Sequence, residues 1–222
     1  MNDKIVICGA RGGSSRVLNK NIRKLGEIPL IEYSLFTGEL LGLPIYVSSD
    51  SDKILKIVKT HGSLVNIIKR PSILASNTST DIDWIKHLLS IYYEQNSSYP
   101  KQLIFLRPTT PLREISIVKE AIKKFNGSKY TSLRSVEELK ESIYKTYFIK
   151  NCILEPFNKD NSNVANQTLP ISYGANGYID ILLTEQILNS NDIYGDKIMP
   201  FITPRTIEID DEFDFKLAEK LI

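Results

Sequence analysis

Short, largely apolar runs alternate along this chain with segments of helical period, and nothing else in the sequence limits its fold as tightly. Residues 5–8, 45–48, 65–68, 103–106 and 131–134 read as strands. All but the last lack the polar alternation of a half-solvated strand, so they belong in a sheet covered on both faces. Helices fall between them. Pro29 suits the first turn of one carrying Leu30, Ile31, Ser34 and Leu35. Ser51 and Asp52 are expected to cap a second, with Ile54, Leu55, Ile57 and Val58. Thr80 and Asp81 precede a third with Ile82, Ile85, Leu88 and Leu89, and Glu114 starts a fourth with Ile115, Val118, Ala121, Ile122 and Phe125. The expected fold is α/β, a mostly parallel sheet with helices on both faces.

Ligands of such sheets bind beyond the carboxyl ends of the strands. Three polar segments occupy such ends here: the glycine-rich loop after the first strand, Ser48-Ser49-Asp50, and the turn at 107–113. The pattern changes after Val136. Residues 137–170 read as an insertion, with strand-like pieces at 144–149 and 153–154 and an Asn-rich loop at 158–167. Residues 173–180 return to the core. A strand at 206–210 and a capped helix at 211–222 close a single domain of 222 residues.

The first loop carries the clearest chemical signal. Gly12 and Gly13 let backbone N–H groups approach an anion, and Arg11, Arg16 and Lys20 add charge and directed donors for phosphate oxygens. The spacing is neither the G-x-x-x-x-G-K-[ST] of a P-loop nor the G-x-G-x-x-G of a dinucleotide fold. A flexible surface turn is the alternative; three basic residues in ten positions favour phosphate. The rest of the composition sets bounds. A net charge of +2 gives no global signal for nucleic acid or an anionic membrane. Cys8 and Cys152 form no disulfide framework or zinc spacing, and Cys8 reads as a buried thiol. His61 and His87, without ligand spacing around them, read as structural. The first apolar run is too short for a signal peptide and follows Asp3 and Lys4, and no stretch spans a bilayer, so a cytoplasmic location is expected.

Several segments, in order along nearly the whole chain, together resemble the cytidylyltransferases that activate 3-deoxy-2-ulosonic sugar acids, chiefly CMP-sialic acid synthetases and their bacterial nonulosonate relatives. They are Ala10-Arg-Gly-Gly-Ser14 with Lys20-Asn21, Ser48-Ser49-Asp50, Arg70-Pro71 with Leu74-Ala75, Arg107-Pro-Thr-Thr-Pro-Leu-Arg113, Asn176-Gly177, and Ile209-Asp210 with Glu212, Asp214 and Phe215. The resemblance implies a nucleotidyltransferase α/β fold, CTP as donor, a sugar acid as acceptor, magnesium as cofactor and a homodimer built partly through the insertion. It places the enzyme in surface glycan biosynthesis. The chain departs from the family pattern with Ser15 where a Lys is usual, Arg16 beside it, Leu18 for a Pro, Arg107 for a Gln, Tyr173-Gly174-Ala175 where an Arg often stands, and Glu208 for an Asp. A nucleotidyltransferase of the same fold using a sugar 1-phosphate or another NTP, and a degenerate nucleotide-binding homologue, stay open beside the main reading.

Carried over residue by residue, the resemblance assigns nucleotide contacts to Ala10, Arg11, Gly12, Gly13, Ser14, Arg16, Lys20, Asn21, Arg70, Thr78 and Ser79. Arg11, Lys20 and Asp210 are the expected catalytic residues. The sugar acid is expected against Arg107, Thr109, Thr110, Arg113, Tyr173 and Asn176, since Arg grips carboxylates bidentately; support of the loop is the other reading of Arg113. Tyr178 reads equally as pocket or core. Glu208 and Asp210, two apart on the expected strand, would point to one face and suit magnesium, or else Asp210 caps the last helix.

Overall fold

The computed structural model describes residues 3–13, 16–76 and 78–222. Ser14 and Ser15 therefore lie outside the described residues. In chain order come β1 (Lys4–Gly9), a small hairpin of β2 (Lys24–Leu25) and β3 (Ile28–Pro29), α1 (Leu30–Leu41), β4 (Ile45–Ser49), α2 (Asp52–Val58), β5 (Val65–Lys69) and α3 (Asp81–Asn96). There follow β6 (Gln102–Phe105), α4 (Ile115–Phe125), β7 (Ser132–Glu138), β8 (Tyr147–Lys150), β9 (Ile153–Pro156), β10 (Tyr173–Leu183), α5 (Thr184–Asn189), β11 (Ile198–Ile202) and α6 (Glu212–Glu219).

Seven strands form the central sheet in the order β11-β7-β10-β6-β1-β4-β5. β1 pairs in parallel with β4 and β6, β4 with β5, and β7 with β11. Only β10 among them runs antiparallel, against both β6 and β7. The expected mostly parallel sheet is present. The apolar runs have a direct cause in it. Val6 and Cys8 of β1 pack among α1, α2 and α4 on one face, whereas Ile5 and Ile7 pack among α3 and α5 on the other. Side chains of a strand alternate between faces, so a strand covered on both sides has no polar position to show. Cys8 lies inside this sandwich, and burial pushes its thiol up to about 12. His61 sits 3.3 Å from both Glu32 and Glu39 of α1, and neither it nor His87 lines the cleft described below.

Two expectations need correction. Residues 206–210 form no strand; the segment is held to the 107–113 turn by Ile209, whose N–H donates to the Thr109 carbonyl at 2.7 Å. Ser51 occupies the N-cap of α2 without a side-chain cap bond, and Asp52 instead pairs with Lys69. The third helix is capped by Thr80 together with Asp83, whose carboxylate accepts from the Thr80 N–H and hydroxyl at 2.8 Å each. Strand β11 and helix α5 were not expected. The insertion does carry a hairpin, β8–β9, as a separate two-stranded sheet, with Phe148, Ile149, Ile153, Leu154 and Phe157 exposed.

Helix α6 is closed by a capping box. Asp211 accepts from the N–H groups of Phe213 and Asp214 at 2.8 and 3.0 Å, and Asp214 accepts from those of Asp210 and Asp211 at 2.9 and 3.1 Å. Its Phe215 is buried with Val17, Leu25, Leu30, Ile209 and Ala218. Arg23 stacks on the Phe215 ring at 3.8 Å and pairs with Glu212 at 2.7 Å. This small cluster fixes the segment 207–210 against the first loop. Phe215→Ala should therefore lower unfolding free energy by about 3–5 kcal/mol in urea denaturation; a loss below about 1 kcal/mol would show that α6 is only loosely docked.

Candidate active site

A cleft of about 360 Å³ opens where β1, β4 and β6 end, lined among others by Gly9, Arg11, Arg16, Lys20, Asn21, Arg70, Trp84, Arg107 and Thr109. The glycine loop forms one rim and is held residue by residue. The Ala10 N–H donates to the Ser48 carbonyl at 3.0 Å, the Arg11 carbonyl accepts from Asn21 Nδ2 at 3.0 Å, and the Gly12 N–H donates to Asp50 Oδ1 at 2.9 Å. Gly12 lies so close to Ser51 that an added Cβ would stand 2.8 Å from the Ser51 Cβ, whereas Gly13 faces open space. Arg11 Nη1 reaches the Ser76 carbonyl at 3.2 Å and joins this rim to the opposite one. Lys20, with a largely buried stem, donates to the Ile209 carbonyl at 2.8 Å and lies 3.4 Å from Asp210; the exposed Arg16 lies 3.4 Å from the same carboxylate.

The far wall is built on Arg70 and Trp84. Arg70 is buried, donating from Nε to Ser48 Oγ at 3.0 Å and from Nη2 to the Ser48 carbonyl at 2.8 Å, with its guanidinium over the Trp84 ring at 4.9 Å. Burial lowers its pKa, against the opposing pull of Asp50 and Asp81. Ser79 lines the cleft in a loop knotted by its own hydroxyls. Its Oγ donates to the Ile73 carbonyl at 3.0 Å and lies 2.8 Å from Ser76 Oγ, which in turn lies 3.1 Å from Thr78 Oγ1.

Arg107 lies on the floor, stacked on Phe105 at 4.0 Å. It is not a free carboxylate grip. It forms an ion pair with Asp180, a second with Asp81 at 3.1 Å, and a 3.4 Å hydrogen bond to Tyr194 Oη. Tyr194 also donates to Asp180 at 3.1 Å, and Trp84 Nε1 donates to the other oxygen of Asp81 at 3.0 Å. Burial works to lower the Arg107 pKa, but the two carboxylates outweigh it and hold the group above its ordinary value. Burial and the neighbouring Asp180 push the Tyr194 phenol up to about 12. Asp180 is nearly inaccessible, with 2% of its side chain exposed, so it depends on these partners.

The remaining sugar-side candidates divide. Thr109 lines the cleft and sits 3.5 Å from Glu208. Arg113 is not among the residues lining the cleft; it donates to the carbonyls of Tyr178, Arg107 and Gly177 at 2.6, 2.7 and 3.1 Å, which is the loop-supporting arrangement. Burial lowers its pKa to about 10. Thr110 is buried and donates to the Asn176 carbonyl at 3.4 Å. Asn176 is buried too, bonded to Thr203 Oγ1 at 2.7 Å, but lines a second cavity of about 630 Å³ with Glu137, Arg205, Glu208 and Asp214. Tyr173 stands half-exposed at the start of β10, outside both cavities. Tyr178 is core, its hydroxyl accepting from the Glu114 N–H at 2.6 Å.

Glu208 and Asp210 flank the buried Ile209, and Glu208 joins the two cavities through Thr109. Burial and the charge of Asp210 raise the Glu208 pKa. Among the described residues no three His, Cys, Asp or Glu side chains converge as a metal cage. Two adjacent carboxylates still fit a magnesium ion whose other ligands are phosphate oxygens and water, because that ion keeps several waters and takes one or two protein carboxylates. Sequence reasoning missed Trp84, Asp180 and Tyr194, and it marked Asp50 and Asp81 only as members of polar segments. Asp180 left a hint, as a lone charge inside an apolar strand.

These features define a nucleotidyltransferase fold with a cationic loop facing an acidic segment. Its backbone is similar to that of a CMP:2-keto-3-deoxy-manno-octonic acid synthetase solved with CTP (TM-score 0.71, 12% identity, 98% of this chain and 97% of that one). It is also similar to a 4-diphosphocytidyl-2C-methyl-D-erythritol synthase from Anaerococcus prevotii (TM-score 0.60, 12% identity, 99% of each chain). The cytidylyltransferase family profile matches residues 5–173, and the chain belongs to that family. Its relatives include a post-translational flagellin modification protein B of Campylobacter coli, 30% identical over 97% of this chain and 93% of that protein. Another is an N-acylneuraminate cytidylyltransferase of Escherichia coli, 30% identical over 98% of this chain but only 52% of that protein, so the chain spans about half its length. A third is a CMP-N,N'-diacetyllegionaminic acid synthase of Legionella pneumophila, 27% identical over 98% and 95%.

Arg107→Met strands Asp180 as a buried unpaired carboxylate and should cost about 3–5 kcal/mol of stability. Adding Asp180→Asn should restore most of that loss. Additive effects in the urea-denaturation cycle would show that the pair is not coupled.

Proposed function

We propose that this enzyme transfers the cytidylyl group of CTP to the anomeric 2-hydroxyl of a 3-deoxy-2-ulosonic acid of the nonulosonic class, such as a sialic or legionaminic acid, releasing pyrophosphate. The observation that carries this reading is the junction at Glu208. Arg11, Arg16 and Lys20 edge the cleft beside it, and a second, larger cavity opens on its other side. A nucleoside triphosphate suits the first space and an acceptor sugar the second, with the α-phosphorus between them. The sugar oxygen forms its bond to the α-phosphorus while the bond to the bridging oxygen of pyrophosphate breaks. Positioning and charge neutralisation are the main demands of such a reaction. Arg11 and Lys20 meet charge that builds on the phosphates. Arg70 and the 72–79 rim bound the end of the cleft assigned to cytosine and ribose.

Glu208 and Asp210 are the residues that would hold magnesium, which supplies charge neutralisation on the phosphates and acidifies a bound hydroxyl. Lys20 and Arg16, both at Asp210, would hold that carboxylate in place until the ion enters. The exposed apolar side chains of β8 and β9 are a surface that a second copy of the chain would cover, making residues 137–170 a dimerisation element of a single-domain enzyme. No helix among the described residues is long and apolar enough to cross a membrane. Cytosolic CTP and the flagellin-modifying relative fit a cytoplasmic enzyme that feeds surface glycans such as lipopolysaccharide or flagellar sugars.

Pyrophosphate release, followed across CTP, UTP and GTP and across sialic, legionaminic, pseudaminic and octulosonic acids, tests the assignment. Turnover should require CTP and one of the sugar acids. Turnover with UTP or GTP and a sugar 1-phosphate would replace the reading, and binding of a nucleotide without turnover would leave a degenerate homologue. Arg11→Ala should reduce turnover by ~10²-fold, as for loss of a transition-state donor, and Asp210→Asn should abolish its magnesium dependence. Normal activity in Asp210→Asn with an unchanged magnesium curve would leave Asp210 as a helix cap only.

A further inference from the structure

The end of β4 is a template for the glycine loop, and Asp50 is the part of it with no assigned role. Ser48 fixes Ala10 through a backbone bond, and Asp50 Oδ1 fixes Gly12 at 2.9 Å. The tight approach of Gly12 to Ser51 leaves no space for a side chain between them. Arg11 lies between these two anchors, with its carbonyl held from the other side by the buried Asn21. Asp50 is held in turn: Lys69 Nζ donates to its carbonyl at 2.9 Å. A carboxylate beside a triphosphate pocket is unfavourable by charge alone, so its place here needs a compensating role. The Gly12 N–H, once given to Asp50, is not a phosphate donor.

We infer that Asp50 is a positioning residue, whose oxygen holds the loop in its phosphate-binding shape before the nucleotide arrives. It acts as a hydrogen-bond acceptor, not through its charge. The inference rests on the triphosphate reading of the cleft. Two substitutions separate the acceptor from the charge, and their expected effects have opposite signs. Asp50→Ala removes the acceptor and should weaken CTP binding about tenfold, the upper end for loss of one ordinary hydrogen bond. Asp50→Asn keeps an acceptor oxygen and removes a negative charge near the phosphates, so it should bind CTP as tightly as the parent protein or more tightly.

Trp84 is the only tryptophan of the chain and lines the cleft, so its fluorescence in a CTP titration reads both variants directly, with isothermal calorimetry as the second readout. The KM for CTP should rise in Asp50→Ala while the KM for the sugar acid stays unchanged. Equal tightening in both variants would mean that only the charge matters. Equal weakening would mean that the charge itself is required, as for a cation ligand, and unchanged binding in Asp50→Ala would mean no role; each overturns the inference. If the parent protein itself fails to bind CTP, the nucleotide reading falls and the role of Asp50 falls with it, an outcome distinct from parent binding with an unaffected Asp50→Ala.

Discussion

β1 is paired in parallel on both sides, with β4 and with β6, and the glycine loop, the 48–50 segment and the 107–113 turn inherit their places from that pairing. Parallel strands deliver their carboxyl ends to one edge of the sheet. Gly9, Ser49 and Phe105 therefore end within one neighbourhood, and the residues that follow them have nowhere to go but around a common space. The sandwich of helices supplies the burial that makes this edge rigid. Its apolar strands are continuous because each face of the sheet is covered by a different set of helices. The chemistry at the edge uses side chains that the core does not need.

The other half of the site depends on the antiparallel strand β10. Its pairing with β7 is interrupted between Ala175 and Asp180, and Gly177 there adopts a φ of +63°. A Cβ at Gly177 would stand 2.8 Å from Thr110 Oγ1 and 3.2 Å from Glu208 Oε1. Glycine thus lets the bulge press against both the 107–113 turn and the acidic segment. Arg113 locks the arrangement by binding carbonyls from the turn and the bulge at once. Carbonyl oxygens satisfy its donors without adding negative charge, so a buried cation remains behind the turn that carries Arg107 and Thr109.

The sequence made the sandwich legible because its strands had a single physical demand, burial on both faces. The loop at 10–20 was legible for a similar reason: glycine and arginine together in a strand-end turn have few structural explanations. Strand β11 escaped notice because Pro200 lies in it and its residues are mostly exposed, so it carries neither the apolar run nor a clean alternation. Segment 206–210 alternates like a strand, with Ile209 inward and its neighbours outward, yet its partner is a turn and not a sheet. Arg107 shows the limit most clearly. Its residue type and position suggested a substrate carboxylate, but its counter-ions come from positions 81 and 180, lying 26 and 73 residues away. Pairings of that range leave no local signal.

On the proposed function, a nucleoside triphosphate would lie along the glycine loop with its reacting phosphorus at the junction of the two cavities. A crystal structure of the protein grown with CTP and magnesium tests it most directly. The expected result is phosphate oxygens on the loop near Arg11, Gly13 and Lys20, the base against the Arg70 and Trp84 wall, and magnesium held by Asp210 and Glu208. Ordered CTP bound elsewhere, or bound in the cleft with its triphosphate turned away from the 10–20 loop and the acidic pair, would contradict it.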